Sequence, residues 1–215
     1  PGCENECILL EDALPDELEG IVYAIFSGDD AAIYQNGGWY GSLMCFDGFM
    51  GYWFRSYENI DFQFNIPDEG IARAITPEKE ILSGYEFNNS SQVAFYFIEN
   101  LPQAQIGDWV IAMNNGIVVG ARKWTGSMID VPTMGDDGES YSYGYLKSGE
   151  SPQFMLYHNN TGELTPLYGT TPGFISNEVF VLDELTDENA IQPTTLSLGD
   201  AYPNPFNPVT NITFS

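Results

Sequence analysis

The sequence predicts an all-β protein made of two small β-sandwich-like modules, with a short helical turn near the N-terminus and an extended C-terminal segment. Short apolar or alternating runs recur at even spacing, glycine-containing turns separate them, and no long amphipathic helical pattern interrupts them. Aromatic residues make up 14% of the 215 residues and charged residues only 17%. This composition is typical of a folded chain that buries a substantial core, and not of an acidic disordered one.

The first module is predicted over residues 1–66 and begins with the helical turn. In residues 15–20 a proline stands at the first helical position, acidic residues follow it and a glycine ends the segment. Residues 60–66 alternate strictly between apolar and polar side chains, which is the clearest strand pattern in the chain. Further strands of this module are predicted over residues 21–26, 39–46 and 50–55.

A less patterned stretch with two prolines, residues 67–80, predicts the linker between the modules. The second module is predicted over residues 81–186, and its hairpin turn at Asn114-Asn115-Gly116 suits positive φ. Residues 187–198 predict a second linker, and residues 199–215 form the terminal segment. The strands of the second module are predicted over residues 92–99, 108–113, 117–124, 153–157 and 178–183.

The charge balance is strongly acidic, with 6 Lys and Arg against 31 Asp and Glu and a formal net charge of −25. Such a field repels nucleic acid and anionic lipid, so neither is an expected partner. The sequence contains no run of about 18 apolar residues, so no membrane span is predicted. The simplest interpretation of the charge is a solvated acidic surface that keeps an extracellular protein soluble.

The terminal segment combines a stiff arm with a short strand. Three prolines within residues 202–208 exclude a helix and favour extended or polyproline geometry. Residues 210–214 then alternate in the pattern of a half-buried strand. An unpaired amphipathic strand tends to add to another sheet, so these residues are candidates for self-association. The candidate residues are Tyr202, Pro203, Pro205, Phe206, Ile212 and Phe214.

Residues 201–214 closely resemble the start of the C-terminal sorting domain of type IX (Por) secretion cargo. The resemblance implies export by the type IX machinery to the outer cell surface or the extracellular space, and it implies no chemistry. The sequence stops after the first strand of that domain and does not begin with Met or a signal peptide. We therefore expect a mature or truncated piece of a longer secreted product.

The second module is similar to a repeat found in large surface proteins that carry type IX sorting domains. Two stretches of the first module, residues 38–43 and 51–54, are similar to a small β-module that often accompanies this repeat. The resemblance implies a secreted, multi-module surface architecture without a catalytic activity. The matching stretches of the second module are residues 87–97, 107–113, 119–124, 131–138, 144–145 and 152–157.

The three cysteines are Cys3, Cys7 and Cys45. With export implied by the resemblance, we expect at least one disulfide that involves Cys3 or Cys7. A link to Cys45 would close a loop of about 40 residues and stabilise the fold by ~3–4 kcal/mol in the chain-entropy model. The Cys3–Cys7 pairing is slightly favoured because it needs no tertiary coincidence. A zinc site is not expected, because the single His158 and three cysteines lack paired ligand spacing.

One acidic turn is a candidate calcium site. Calcium prefers six to eight oxygen ligands, and a glycine-bracketed turn rich in carboxylates can supply several of them. The spacing does not fit an EF-hand, and a solvated acidic turn is the simpler alternative. Otherwise no cofactor is expected. The candidate ligands are Asp130, Asp136, Asp137 and Glu139.

Four aromatic residues of the first module are a candidate glycan platform, namely Trp39, Tyr40, Tyr52 and Trp53. Aromatic rings can stack on sugar rings, although aromatic residues at strand spacing more often belong to a sandwich core. An enzyme is not predicted. The single histidine, and the lack of a nucleophile elbow or a phosphate-binding loop, leave no recognisable catalytic arrangement.

The sequence therefore predicts a secreted structural protein of the cell surface or extracellular matrix. Its expected partners are copies of itself and the export machinery. Addition of residues 210–214 to a neighbouring sheet would be head-to-tail and would build a filament or surface layer. The alternative function is a carbohydrate-binding or adhesive module whose partner is an extracellular polysaccharide.

Overall fold

The computed structural model describes residues 6–65, 74–75 and 79–187. Their regular secondary structure is almost entirely β-strand, so the all-β prediction is confirmed. A short helix, α1 (Leu10–Ala13), and two 3₁₀ turns (Asp16–Leu18 and Ser140–Ser142) accompany the strands. No helix in these ranges is long and apolar enough to cross a bilayer. The strands are β1 (Glu6–Leu9), β2 (Val22–Ser27), β3 (Asp30–Gln35), β4 (Gly38–Gly41), β5 (Cys45–Phe46), β6 (Trp53–Ser56), β7 (Ala74–Ile75), β8 (Val93–Asn100), β9 (Trp109–Asn114), β10 (Ile117–Lys123), β11 (Ile129–Met134), β12 (Gln153–His158), β13 (Glu163–Pro166) and β14 (Val179–Glu184).

The first half of the chain is built on a four-stranded antiparallel sheet with the order β4-β3-β2-β6. Side chains alternate between the two faces of a strand, and buried residues of β2 and β3 lie on both faces of this sheet. One face carries Val22, Ile25 and Ala32 and packs on α1 and its flanking residues, a set that we call the N-terminal cluster. The predicted helical turn is present as the 3₁₀ turn Asp16–Leu18, which follows Pro15.

A disulfide ties the N-terminal strand to β5. Cys7 in β1 is bonded to Cys45, with 38 residues of sequence separation and a Cα–Cα distance of 5.5 Å. The antiparallel pairing of β1 with β5, in which Leu9 lies opposite Cys45, brings the two cysteines together. The expectation of a disulfide is therefore confirmed, and the preference for a Cys3–Cys7 pair was wrong. Cys3 lies outside the described residues.

The strand predicted over residues 60–66 is absent from its described part, residues 60–65. Ile60 and Phe62 do pack on the N-terminal cluster, and the rings of Phe62 and Phe54 are 5.5 Å apart. The backbone, however, bonds to the end of α1, where Asn65 N donates to Ala13 O over 2.8 Å. The alternating pattern indicated the face that packs on the protein, although Phe64 on that face is 47% exposed, and residues 60–65 pair with no strand in the described structure.

The second half contains two sheets, β10-β9-β12-β13 and β11-β8-β14. In the second sheet β8 lies in the middle, antiparallel to β11 and parallel to β14. Residues 94–98 of β8 are fully buried, as expected of a central strand covered on both faces. The hairpin predicted at Asn115-Gly116 joins β9 to β10, with φ of 48° and 83° at these two residues.

One hydrophobic core joins the two halves of the chain. The face of the first sheet that points away from the N-terminal cluster contributes Phe26 and Ile33 to the same cluster as Phe95 and Phe97 of β8. We call this cluster the shared core. The rings of Phe26 and Phe95 lie 5.4 Å apart. The predicted linker, residues 67–80, falls mostly outside the described residues, so the module boundaries stay a prediction.

Candidate functional site

A partly buried polar network, which we call the polar junction, lies where the first sheet meets the second half. It consists of Asp30 at the start of β3, Ser42 after β4, Arg122 in β10 and Asp130 in β11. These elements contact one another because β10 lies beside β11, and because β3 packs against β11 through its face that points away from the N-terminal cluster. Residues about 90 positions apart in the sequence therefore meet at one point.

Asp130 is the centre of the polar junction, and its side chain is only 1% exposed. Its Oδ2 accepts a hydrogen bond from Arg122 Nη2 at 2.9 Å and its Oδ1 accepts one from Ser42 N at 2.6 Å. The Ser42 hydroxyl lies 2.7 Å from the same Oδ2. Burial raises the pKa of Asp130, while the Arg122 guanidinium and the Ser42 hydroxyl oppose that rise.

Arg122 extends the junction to the turn before β3. Its Nη1 donates to Asp30 Oδ1 over 3.0 Å, and its Nη2 also contacts the carbonyl oxygen of Asp29. An ion pair between Lys79 and the Asp29 carboxylate lies beside it. Burial and the nearby Arg122 charge lower the pKa of Lys79 to about 8. The junction is well suited to hold the two halves in a fixed orientation, because charge-assisted bonds are directional.

A second polar contact, the Arg55 bridge, joins the halves at another place. Arg55 in β6 lies 2.8 Å from both carboxylate oxygens of Glu178, which precedes β14. Its Nε also donates to the Tyr23 hydroxyl over 2.9 Å. The donor to both oxygens is the same nitrogen, Nη2, and such a charge-assisted contact is stronger than a neutral hydrogen bond. Together with the polar junction it holds the first sheet at two separate points.

The four predicted calcium ligands do not lie together. Asp130 belongs to the polar junction, whereas Asp136, Asp137 and Glu139 lie in the turn after β11. In the described ranges no group of three or more His, Cys, Asp or Glu side chains is placed to hold a metal ion. Calcium binding stays a prediction. Without Asp130, the turn offers fewer carboxylates than expected.

Within this turn Asp137 acts as a hydrogen-bond acceptor. Its carboxylate accepts hydrogen bonds from the Ser142 hydroxyl at 2.6 Å and the Tyr141 hydroxyl at 2.8 Å. It also accepts one from Ser91 N, at 3.2 Å, in the loop before β8. These bonds, that from Ser142 first, lower the pKa of Asp137 well below its usual range. The carboxylate thus connects two loops of the second half.

The four aromatic residues proposed as a glycan platform are divided between two faces. Trp39 and Tyr52 are partly buried against the N-terminal cluster. Tyr40 and Trp53 point to the opposite face of the sheet, because their partners in register belong to the shared core. They also lie on β4 and β6, the two edges of that sheet. The rings therefore do not form one continuous platform, although Trp53 is 64% exposed.

The only histidine of the chain, His158, lies at the end of β12 and contacts a buried carboxylate. Its Nδ1 is 3.3 Å from Asp108 Oδ2. The same carboxylate accepts hydrogen bonds from the backbone N–H groups of Gln105 and Asn159, at 2.9 and 3.0 Å. The Asp108 carboxylate thus connects the turn after β12 to the start of β9.

Sequence reasoning did not identify one exposed apolar loop, residues 48–51 between β5 and β6. Phe49 at its tip is 96% exposed, and Met50 beside it is also exposed. The loop is held by Asp47, whose Oδ1 accepts a hydrogen bond from Phe49 N at 2.8 Å. The signal in the sequence that could have identified this loop is the pair of apolar residues Phe49 and Met50 between two glycines. The candidate self-association residues of the terminal segment, from Tyr202 to Phe214, lie outside the described residues.

Comparison of the chain with protein families, curated proteins and solved structures finds no match in any of the three. The site therefore has to be interpreted from its own geometry. That geometry consists of a disulfide, two polar contacts between the halves and exposed aromatic residues at a sheet edge and a loop.

Proposed function

We propose that this chain is a secreted structural protein of the cell surface or extracellular matrix that assembles with copies of itself. The observation that carries the proposal is the Cys7–Cys45 disulfide, because such bonds persist in oxidising compartments outside the cytosol. The resemblance of residues 201–214 to a type IX sorting segment supports the same location and makes the type IX machinery the expected export partner.

The connection between the two halves supports a structural role. A protein that bears load in a filament or layer gains from a single rigid unit. The shared core, the polar junction and the Arg55 bridge all cross between the halves. A net charge of −25 favours solubility of the unit until a specific contact overcomes the repulsion between copies.

The contact that we propose for assembly is strand addition by residues 210–214. Ile212 and Phe214 would face the neighbouring copy, while the alternating Asn211 and Thr213 would face solvent. Addition of this strand to the exposed sheet edge of another copy would satisfy its backbone groups. Because donor and acceptor surfaces differ, the product is an open filament or layer.

Negative-stain electron microscopy of the full chain and of a chain that lacks residues 200–215 tests this proposal. We expect long assemblies from the full chain and isolated particles from the shortened one. Circular dichroism should show the same β-sheet signal for both. Assemblies of normal length from the shortened chain would contradict strand addition by the terminal segment.

A carbohydrate-binding or adhesive module is the second candidate, and the exposed ring of Trp53 favours it. Solvent-exposed tryptophan faces can stack on sugar rings. Titration of tryptophan fluorescence with extracellular polysaccharides measures such binding. This function predicts saturable binding that is lost in Trp53→Ala and kept in Trp39→Ala, because Trp39 is partly buried against the N-terminal cluster. An unchanged signal with every polysaccharide would argue against it.

A further inference from the structure

A shallow groove lies at one end of the second half, between the start of β12 and the end of β13. Its volume is about 760 Å³. None of the residues that line it carries a charge, and we call it the uncharged groove. Its exposed apolar surface comes from Met155, Pro166 and Tyr168, while Phe154 and Leu167 beneath it are buried in the shared core.

The lack of charge distinguishes this groove from the rest of the protein. The chain contains 31 acidic residues and has a net charge of −25. An acidic or basic ligand has no counter-charge to bind in the groove, and an apolar, uncharged one loses no ion hydration on entering it. The groove therefore fits an uncharged peptide that carries aromatic or proline side chains.

The chain itself leaves the described structure at the rim of this groove. Tyr168 N donates to Thr186 O over 2.7 Å, and Thr186 N donates back to Tyr168 O over 3.0 Å. Since Tyr168 lines the groove, the segment that follows residue 187 begins next to it. Every later residue of the chain is tethered at this point.

The tethered segment contains a matching sequence. Residues 202–208, Tyr-Pro-Asn-Pro-Phe-Asn-Pro, carry no charge. Proline-rich segments adopt the polyproline II conformation, and an exposed aromatic ring, which Tyr168 supplies in this groove, binds it at low entropic cost because it is already extended. Proline and aromatic residues on both sides would pack together without burying a carboxylate.

The length of the tether favours the groove of the same chain over that of a neighbour. The 14 residues 188–201 separate the rim from the proline-rich sequence. If these residues have random-coil dimensions, a segment of this length spans ~20 Å on average and gives an effective concentration in the millimolar range. A second copy in dilute solution cannot compete with that concentration.

We propose that residues 202–208 dock in the uncharged groove of their own chain. Docking would anchor the arm two residues before the strand 210–214 and would hold that strand at a fixed place on the surface. The inference does not depend on assembly, because an isolated molecule can dock its own arm. It identifies the groove as the receptor of the terminal segment.

Photo-crosslinking of the full chain tests the docking. Benzoylphenylalanine replaces Phe206, and the protein is irradiated at a concentration at which it is monomeric by sedimentation. We expect mass spectrometry to find crosslinks from position 206 to Met155, Leu167 or Tyr168 within one chain. Crosslinks to a second copy, crosslinks to other surfaces, or no crosslink at all would overturn the proposal.

A charge placed in the groove provides a matched control. Thr170 lines the groove and Thr161, in the turn between β12 and β13, does not, and both are exposed. Thr170→Asp should lower the yield of the intramolecular crosslink about tenfold, because docking would bury an unpaired carboxylate. Thr161→Asp should leave the yield unchanged. Equal yields from the two variants would contradict docking in this groove.

Discussion

At the scale of single residues, the contribution of each side chain in the polar junction to stability depends on whether its charged partner is buried. The Asp130 carboxylate is buried and receives hydrogen bonds from Arg122 and Ser42. Removal of one partner from a buried charge pair leaves the other charge without compensation, whereas an exposed pair contributes little. Two ion pairs of the same guanidinium allow the comparison, because Asp130 is 1% exposed and Asp30 is 41% exposed.

Arg122→Met should lower the free energy of unfolding by ~3–5 kcal/mol, because it leaves the Asp130 carboxylate buried without its cation. Asp30→Asn, which removes the exposed partner, should lower it by only ~0–1 kcal/mol. Urea denaturation followed by circular dichroism measures both values. Similar losses in the two variants would show that the junction does not depend on the buried charge.

Asp137 makes stability depend on acidic pH. Its folded-state pKa is lowered by the Ser142 hydroxyl and the other donors, from a reference value of 3.8. A lowered pKa means that the ionised carboxylate stabilises the fold above pH 3.8, and that this contribution is lost as pH falls through the folded-state pKa. Asp137→Asn should therefore lower the melting temperature at neutral pH, and the difference from the native chain should shrink below pH 3.8.

Thermal melts of both proteins across the acidic range measure this difference. Asp136→Asn is the control, because Asp136 lies in the same turn and its carboxylate accepts a hydrogen bond from Gly138 N alone among the described groups. A pH-independent difference for Asp137→Asn would contradict the linkage.

At the scale of secondary-structure elements, the close packing of β10 on β11 depends on a glycine. A Cβ atom at Gly120 would overlap the carbonyl oxygen of Pro132 in β11. Backbone atoms cannot move aside as the end of a flexible side chain can. The bulge in β10 between Val118 and Gly120 lies at the same place.

Gly120→Ala should lower the free energy of unfolding by ~1–3 kcal/mol, the usual cost of overpacking. Gly48→Ala, where a Cβ would meet no atom within 4 Å, should change it by less than about 0.5 kcal/mol. Chemical denaturation of both variants checks the prediction. A neutral effect at Gly120 would mean that β10 and β11 can separate without cost.

Element prediction succeeded where the apolar pattern was strong. Strands β8, β9, β10, β12 and β14 fall within two residues of the predicted ranges, because each combines β-branched or aromatic residues with nearby turns. Five strands were not predicted, among them the short strands β1 and β7, which have four and two residues. Strand β3 carries two alanines, β11 contains Pro132 and β13 has only four residues, so each lacks a strong strand signal.

The candidate site was less predictable because its parts are distant in sequence. Arg122 and Asp30 are 92 positions apart, and no local pattern indicates their contact. The sequence groups Asp130 with the acidic turn, because Asp136 and Asp137 follow it closely, yet its side chain points to the first sheet. The Cys7–Cys45 bond likewise depends on strand pairing and not on cysteine spacing.

At the scale of the whole molecule, the shared core predicts cooperative unfolding of the two halves. Phe26 of the first sheet and Phe95 of β8 belong to one cluster, so unfolding of either half exposes part of the core of the other. Urea transitions followed by circular dichroism and by tryptophan fluorescence should therefore coincide. Trp39 and Trp53 report on the first half, and Trp109 and Trp124 on the second. Two separated transitions would show independent modules.

Assembly through the terminal strand is tested most directly by a pair of double variants of the full chain. Ile212→Asp with Phe214→Asp places charges on the face proposed to meet a neighbour, whereas Asn211→Asp with Thr213→Asp adds the same charge to the opposite face. Sedimentation velocity measures the size distribution of each protein at equal concentration. We predict that the first variant sediments as a monomer and that the second assembles like the native chain. Equal assembly by both variants would contradict strand addition by residues 210–214.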